Sequence, residues 1–265
     1  MDLGLQDKVV LVCGASGDVG AATAALLGEE GAALALASRS PAQLDQLVAK
    51  LRDRGVRAAG FVADLAESGQ VAGLVEEVES GFGPIHGLVN TVGPNIDRPQ
   101  LYEDDEVWRF HFENVLMPAV RLGREVLPRM KARGAGSVVN LVATSARYYY
   151  TRLASYAAMK AAVAHVSKAF AKDVANSGVR VNTVHPGWIY KESTRRAVHE
   201  QAVAEGVRDQ EVVERWLEVK ADGQFYTRRF GEPEEYAKAI AFLLSDASSY
   251  VNGSWFAVDG GHAAG

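Results

Sequence analysis

Residues Lys8 to Gly20 read KVVLVCGASGDVG, an unbroken apolar run, a glycine-rich turn and the start of a helical pattern at Val19. A short run that is apolar on both faces reads as a buried strand of a parallel sheet. Glycines where such a strand turns into a helix let backbone amides approach a pyrophosphate, at a helix end whose dipole favours negative charge. Gly14, Ser16, Gly17, Asp18, Val19 and Gly20 are therefore candidate dinucleotide contacts. The motif alone is weak, because an ordinary glycine-rich turn has the same composition. The rest of the chain must decide.

Outward from this stretch, strand-like runs recur at residues 32–37, 57–62, 87–90, 137–142, 180–184 and 254–258, making seven with the first. Between them lie helical patterns over 19–30, 41–54, 67–80, 104–133, 155–177 and 233–244, several closed by Gly31, Gly55, Gly81 or Gly178 in positions that suit a left-handed cap. Strands alternating with crossover helices predict an α/β fold: one Rossmann-like, doubly wound, parallel seven-stranded sheet with helices on both faces. A single domain over 1–265 is expected. The one long interruption, 188–227, is too long for a structureless loop. Its segments RRAVHEQAVAEG and QEVVERWLEVK predict two short amphipathic helices forming a flap beside the site.

Composition narrows the function. A chain of 265 residues with 48% hydrophobic and 23% charged residues can bury a large core, and its net charge of −5 leaves no basic footprint for nucleic acid. No apolar run is long enough to span a bilayer and no leader pattern opens the chain, so a soluble cytoplasmic protein with no membrane partner is expected. Cys13 is the sole cysteine and the six histidines show no ligand spacing, so no metal site is expected. After the second strand, where an NAD site would place a carboxylate on the ribose, stand Ser38 and Arg39. A guanidinium beside a hydroxyl suits a 2′-phosphate, predicting NADP(H) over NAD(H).

The landmarks, taken in order, resemble the short-chain dehydrogenase/reductase family, in its compact bacterial form related to 3-oxoacyl carrier-protein reductases. CGASGDVG is similar to the family's TGxxxGxG turn, Asp64 and Leu65 to its adenine contact, and NTVG at Asn90, Thr91, Val92 and Gly93 to its NNAG. Asn114 matches its helix-borne asparagine, YAAMK at Tyr156 to Lys160 its YxxxK, HPG at His185 to Gly187 its PG turn, and VDGG at Val258 to Gly261 its last strand. The resemblance runs from Lys8 to Gly261. It implies cofactor contacts at Asn90, Val92, Gly93, Pro186, Gly187 and Ile189, closure of the flap over substrate, and a homotetramer built on the 104–133 and 155–177 helices and the last strand.

Several residues depart from that pattern. Asp18 replaces the second glycine of the turn, where a carboxylate beside phosphates is tolerable if it caps its own helix. Cys13 replaces a threonine, and Thr91 and Val92 replace Asn and Ala, which predicts the loss of hydrogen bonds between neighbouring strands. Lys191 stands where a threonine often meets the nicotinamide carboxamide.

Tyr156 and Lys160, four residues apart on a helix, share one face. A phenol is a poor acid–base catalyst at neutral pH, and a nearby ammonium lowers its pKa. Lys160 is also expected to hold the nicotinamide ribose, and Asn114 a relay water beside it. Tyr148, Tyr149 and Tyr150 have no lysine at that spacing and read as an aromatic wall, with Trp188 and Tyr190 as further walls. Leu153, not the tyrosine whose spacing would resemble an enoyl reductase, stands seven residues before Lys160, so the resemblance implies carbonyl rather than alkene reduction. The family's serine, thirteen residues before Tyr156, is Ala143 here. Thr144 and Ser145 follow, and strand alternation favours Ser145 as the donor to the substrate oxygen, provided a bulge or early curl brings it back.

The expected activity is hydride transfer between NADP(H) and a ketone or secondary alcohol, of ketoacyl, cyclic or polyketide-like type. The alternative is a catalytically weak or inactive dinucleotide-binding regulator, motivated by Ala143, Asp18 and Lys191. Arg147, Arg152, Arg195 and Arg196 stand ready for an acidic substrate, though loop arginines more often face solvent.

Overall fold

The computed structural model describes residues 3–95, 104–148, 153–221 and 226–262. Within them, seven strands form one parallel sheet in the order β3-β2-β1-β4-β5-β6-β7. They are β1 Val9–Cys13, β2 Ala33–Ser38, β3 Ala58–Val62, β4 Ile85–Asn90, β5 Gly136–Leu141, β6 Val179–Pro186 and β7 Trp255–Val258. The α/β, doubly wound fold is the one expected from the strand–helix rhythm. Strand order reverses between β1 and β4, whose carboxyl ends pair at Cys13 and Asn90. A crevice must open there, because the connections leave β1 and β4 toward opposite sides.

Alternation along β1 sorts the core. Val9, Leu11 and Cys13 join one buried cluster, with Leu122 and Val126 of α5 (Met117–Arg133) and Ala171 of α6 (Ala154–Asp173). Val10 and Val12 join the cluster on the other face, with Leu27 of α1 (Asp18–Glu29), Leu44 of α2 (Pro41–Arg52) and Ile240 of α9 (Pro233–Leu244). Side chains on successive strand residues point to opposite faces, so one apolar pentapeptide feeds both layers. α3 (Ser68–Phe82) covers the first face. Gly31, Gly55 and Gly178 adopt positive φ as expected of helix caps, but Gly81 lies inside α3 and Gly83, at φ 100°, ends it.

The helix expected over 104–133 is broken. α4 (Asp105–His111) runs into a π-helical turn at Phe112–Leu116 before α5 begins. Pro118 has no amide hydrogen to give Asn114 O four residues back, so the ladder widens, and Met117 N bonds to Phe112 O instead. Two helices do fill the expected flap: α7 (Glu192–Glu205) and α8 (Asp209–Ala221). Val198, Ala202, Val212, Val213 and Leu217 bury against Phe230, giving this segment a core of its own. Its two ends are tied by Tyr190 N to Gly231 O at 2.8 Å and Gly231 N to Trp188 O at 2.9 Å.

Candidate active site

A cavity of about 350 Å³ opens at the strand-order reversal, lined by Gly14, Ser16, Gly17, Ser38, Arg39, Asp64, Leu65, Val92, Gly93 and Asn114. Ten of the sequence-predicted residues therefore share one wall. Thr91, read within the NTVG motif but not as a contact, also lines it, as do Ser40, Gln43, Pro94 and Pro118, which the sequence did not single out. Only Ser40 carried a signal, as the residue before a helix-opening proline.

The wall is shaped by what glycine permits. Gly14 has φ 80°, and a Cβ there would lie 2.6 Å from Thr91 Oγ1. A Cβ on Gly20 would collide with the Gly14 carbonyl, so α1 can approach the turn only with glycine at that point. Val19 and Asn90 are buried behind the wall. Asn90 accepts from Val92 N at 3.1 Å and donates to Asn140 Oδ1 at 3.0 Å; Asn140 in turn donates to Ser167 Oγ at 3.0 Å. This buried chain ties β4 and β5 to α6. Asn140 and Ser167 had one sequence signal, a polar residue inside an otherwise apolar strand or helix face. The hydrogen bonds expected to be lost at Cys13 and Thr91 are instead supplied from the opposite side: Thr91 Oγ1 donates to Cys13 O at 2.9 Å.

At the cavity's outer edge, Ser38 Oγ meets Ser16 Oγ at 2.6 Å and accepts from Ser40 N at 3.3 Å. Arg39 Nη1 stands 3.9 Å from Asp64 Oδ2, and Asp64 Oδ1 accepts from Ala66 N at 3.0 Å. Two hydroxyls, an amide and a guanidinium thus meet at the end of β2.

Tyr156 and Lys160 lie on the first turns of α6. Lys160 is 2% exposed, and its Nζ donates to Leu141 O at 2.8 Å and Val92 O at 3.3 Å. Gly93 admits it: a Cβ there would lie 2.6 Å from Nζ. Burial pulls the Lys160 ammonium down to about 7 and pushes the Tyr156 phenol up. The expected lowering of the Tyr156 pKa by Lys160 is outweighed by desolvation, Nζ lying 5.7 Å from the centroid of a half-buried ring. His111, fully buried, meets Ser155 Oγ through Nδ1 at 2.7 Å and sets its ring edge against Tyr156 at 5.8 Å between centroids. Asn114 Nδ2 donates to Phe110 O at 2.9 Å within the π turn.

β5 ends at Leu141 and the backbone curls early, Ala143 extended and Thr144–Ala146 forming one 3-10 turn. An early curl is what either hydroxyl, of Thr144 or of Ser145, needs to come back toward a substrate oxygen, and both are buried in this turn. Ser145 Oγ is enclosed and has no hydrogen-bond partner among the described residues. Such an orphan hydroxyl costs about 1–3 kcal/mol unless another group meets it. His185 supports the turn, Nδ1 lying 3.3 Å from Ala143 O and Nε2 3.0 Å from Thr183 Oγ1. Burial holds His185 down to about 3, so it stays neutral.

Other expected residues lie elsewhere. Pro186 ends β6, and Gly187 donates its amide to Val258 O at 3.0 Å and borders a second cavity behind the sheet end. Ile189 bridges to Gly231. Trp188 and Tyr190, expected as substrate walls, stack on Phe230 at the edge of the flap core, and Trp188 also lines the second cavity. Arg195 pairs with Glu232 and covers Tyr190, and Arg196 pairs with Glu192, so neither faces a substrate as a free cation. Tyr148 packs on His262 at 5.4 Å. Tyr149, Tyr150 and Arg152 lie outside the described residues. Asp18, expected to cap α1, sends Oδ1 to Glu192 N of α7 at 2.9 Å. Among the described residues no group of three or more His, Cys, Asp or Glu could hold a metal ion.

A glycine turn at a strand-order reversal, joined to a half-buried tyrosine and a buried lysine one helical turn apart, defines a dinucleotide-dependent oxidoreductase. Comparison with known proteins agrees. Residues 14–263 match the family described as enoyl-(acyl carrier protein) reductase. The chain is 34% identical to cis-4-hydroxycyclohexanecarboxylate dehydrogenase of Sinomonas cyclohexanicum, covering 97% of each. It is 32% identical to 3-oxoacyl-[acyl-carrier-protein] reductase of Thermotoga maritima, over 97% of this chain and 98% of the other. L-Sorbose reductase of Gluconobacter frateurii, solved with NADPH and L-sorbose, superposes with a TM-score of 0.89 at 33% identity over 99% of both chains. The chain belongs to the short-chain dehydrogenase/reductase family. It is an oxidoreductase of the alcohol–ketone class, and the binding-only alternative finds no support among these relatives.

Proposed function

We propose that this chain reduces a ketone, or oxidises the matching secondary alcohol, with NADP(H), NAD(H) being the weaker cofactor. The carrying observation is the Tyr156–Lys160 pair, with Lys160 buried and anchored by Leu141 O and Val92 O at the edge of the glycine-shaped cavity. Gly14, Ser16, Gly17, Val92 and Gly93 would hold the dinucleotide, Asp64 and Leu65 its adenine, and Ser38 with Arg39 its 2′-phosphate. The bound nicotinamide supplies or accepts the hydride.

In the reducing direction Tyr156 gives its proton to the developing alkoxide. Burial, by keeping the phenol protonated, suits it to that donation at neutral pH. Lys160 then favours the phenolate left behind, as an adjacent cation does. Ser145, enclosed and unpartnered at the turn after β5, donates to the substrate oxygen in place of the serine replaced by Ala143. Asn114, in the π turn, holds the water that returns the proton through Lys160. The same reading takes the assembly as a homotetramer, supported by Trp108 and Phe112, which stay exposed on α4 and the π turn. It takes the location as cytoplasmic, in keeping with the absence among the described residues of a helix long and apolar enough to cross a membrane.

The test is NADPH oxidation against 4-oxocyclohexanecarboxylate, an acetoacetyl thioester, L-sorbose and a bicyclic ketone. Turnover of at least one is expected, and Tyr156→Phe should remove most of it while retaining NADPH binding. Near-normal turnover by Tyr156→Phe would overturn the mechanism, and failure of every ketone would overturn the activity.

A further inference from the structure

Two departures from the family pattern meet in space. Lys191 occupies the N-cap of α7 with the extended dihedrals of a cap, φ −74° and ψ 162°, yet its side chain makes no capping bond. Lysine has donors only, so it cannot accept from the helix's first amides. Its carbonyl accepts from Thr194 N at 2.9 Å and Arg195 N at 3.0 Å, which leaves the amide of Glu192 for another acceptor. That acceptor is Asp18 Oδ1, 2.9 Å away and 174 residues earlier in the chain.

Asp18 is itself the first residue of α1, directly after Gly17 in the wall of the cavity. One carboxylate therefore stands at the amino ends of two helices, of 12 and 14 residues, where both dipoles favour a negative charge. Among the described residues it makes the only hydrogen bond or ion pair between the Gly14–Asp18 turn and α7. α7 cannot move freely from α8, because both bury into the same small core. What holds the Glu192 amide thus sets where the whole flap rests against the turn.

We propose that Asp18, from the dinucleotide turn, holds the first amide of α7, whose N-cap Lys191 has no acceptor to offer, and that it positions the flap over the substrate side of the site. A carboxylate in the turn, unfavourable beside phosphates on its own, is explained by this second task. Only the kinetic consequence rests on the activity proposed above; the cap itself does not.

The test is amide hydrogen exchange on the full-length, cofactor-free chain, for Asp18→Ala, Asp18→Asn, Lys191→Thr and the Asp18→Ala/Lys191→Thr double variant. Asp18→Ala should speed exchange at residues 192–195 by about three- to thirtyfold, the range for loss of an N-cap, with α9 unchanged. Asp18→Asn keeps an acceptor oxygen and should stay within about threefold of the parent. Lys191→Thr supplies an acceptor only for the second or third amide of the helix, so the double variant should stay as fast as Asp18→Ala at residue 192. Unchanged exchange at residue 192 in Asp18→Ala, or its return to the parent rate in the double variant, overturns the proposal. In turnover of 4-oxocyclohexanecarboxylate, or of whichever ketone the panel selects, Asp18→Ala should raise KM about three- to tenfold with kcat held. It should not weaken NADPH, since a negative charge leaves the turn. A fall in NADPH affinity with KM unchanged would assign Asp18 to the cofactor and overturn the flap role. If no ketone turns over, the exchange result alone decides the cap.

Discussion

Replacing Arg39 with alanine should separate the two nicotinamide dinucleotides. The Arg39 side chain is 58% exposed and its guanidinium stands 3.9 Å from Asp64, at the edge of the wall where Ser16 and Ser38 share a hydrogen bond. A shielded charge-assisted hydrogen bond contributes about 1.5–3 kcal/mol and an exposed ion pair about 0.2–1 kcal/mol. A half-exposed guanidinium falls between, at about 1–2 kcal/mol, or roughly five- to thirtyfold in Kd. Removing it also leaves the Asp64 carboxylate unneutralised, which repels a 2′-phosphate and moves the loss toward the upper end. NADH has no such phosphate, so its Kd should change by less than about threefold. Calorimetric titration of both dinucleotides into parent and variant measures the two losses directly. Repeating it at high salt should shrink the NADPH loss, because exposed charges are screened. Equal weakening of NADH and NADPH would refute the 2′-phosphate assignment, since the guanidinium would then be supporting the wall rather than reading the phosphate.

Ser145→Ala should lower kcat on the order of a hundredfold with little change in NADPH affinity, as loss of one oxyanion donor does, and Thr144→Ala far less; if Ser145→Ala is silent and Ala143→Ser raises turnover, the donor is not Ser145. Keeping Lys160 charged in a site where its pKa is about 7 rather than 10.5 costs on the order of 3–5 kcal/mol. Its folded pKa is depressed, so the unfolded chain binds the extra proton between those two values, and this cost fades as pH rises from about 7 to 10.5. Lys160→Met should therefore be most stabilising relative to the parent below pH 7 and lose that advantage toward pH 10, as read by urea unfolding; a pH-independent difference would refute the burial argument. Gly20→Ala, whose Cβ would collide with Gly14 O, should abolish dinucleotide binding or destabilise the chain by several kcal/mol, and normal binding with an unchanged melting temperature would contradict the turn geometry.

The strands and helices were legible because they depend on local patterns: all seven strands lie where an apolar run predicts one, and α9 begins and ends at the residues expected. Departures came where a distant or missing group intervened. The break in the long helix depends on Pro118, whose absent amide acts on Asn114 one turn earlier. The stacking of Trp188 and Tyr190 on Phe230, forty residues or more further on, was not legible, because aromatic composition cannot say which aromatic a ring will meet.

The sequence by itself determined the parallel sheet, the glycine turn, the Tyr156–Lys160 face and the serine–arginine pair after β2. Each is set within one strand, one turn of helix or one short loop, where residue type and spacing fix geometry. Only the tertiary structure decided the rest. The depressed Lys160 and raised Tyr156 follow from burial by elements far apart in the chain. Ser145 became an orphan donor through a curl after β5. Asp18 and Lys191, two separate oddities in the sequence, became one arrangement because the fold brings the end of β1 beside the start of α7. Hydrogen bonds and desolvation act through space, and spacing along the chain carries no record of them until the sheet has been assembled.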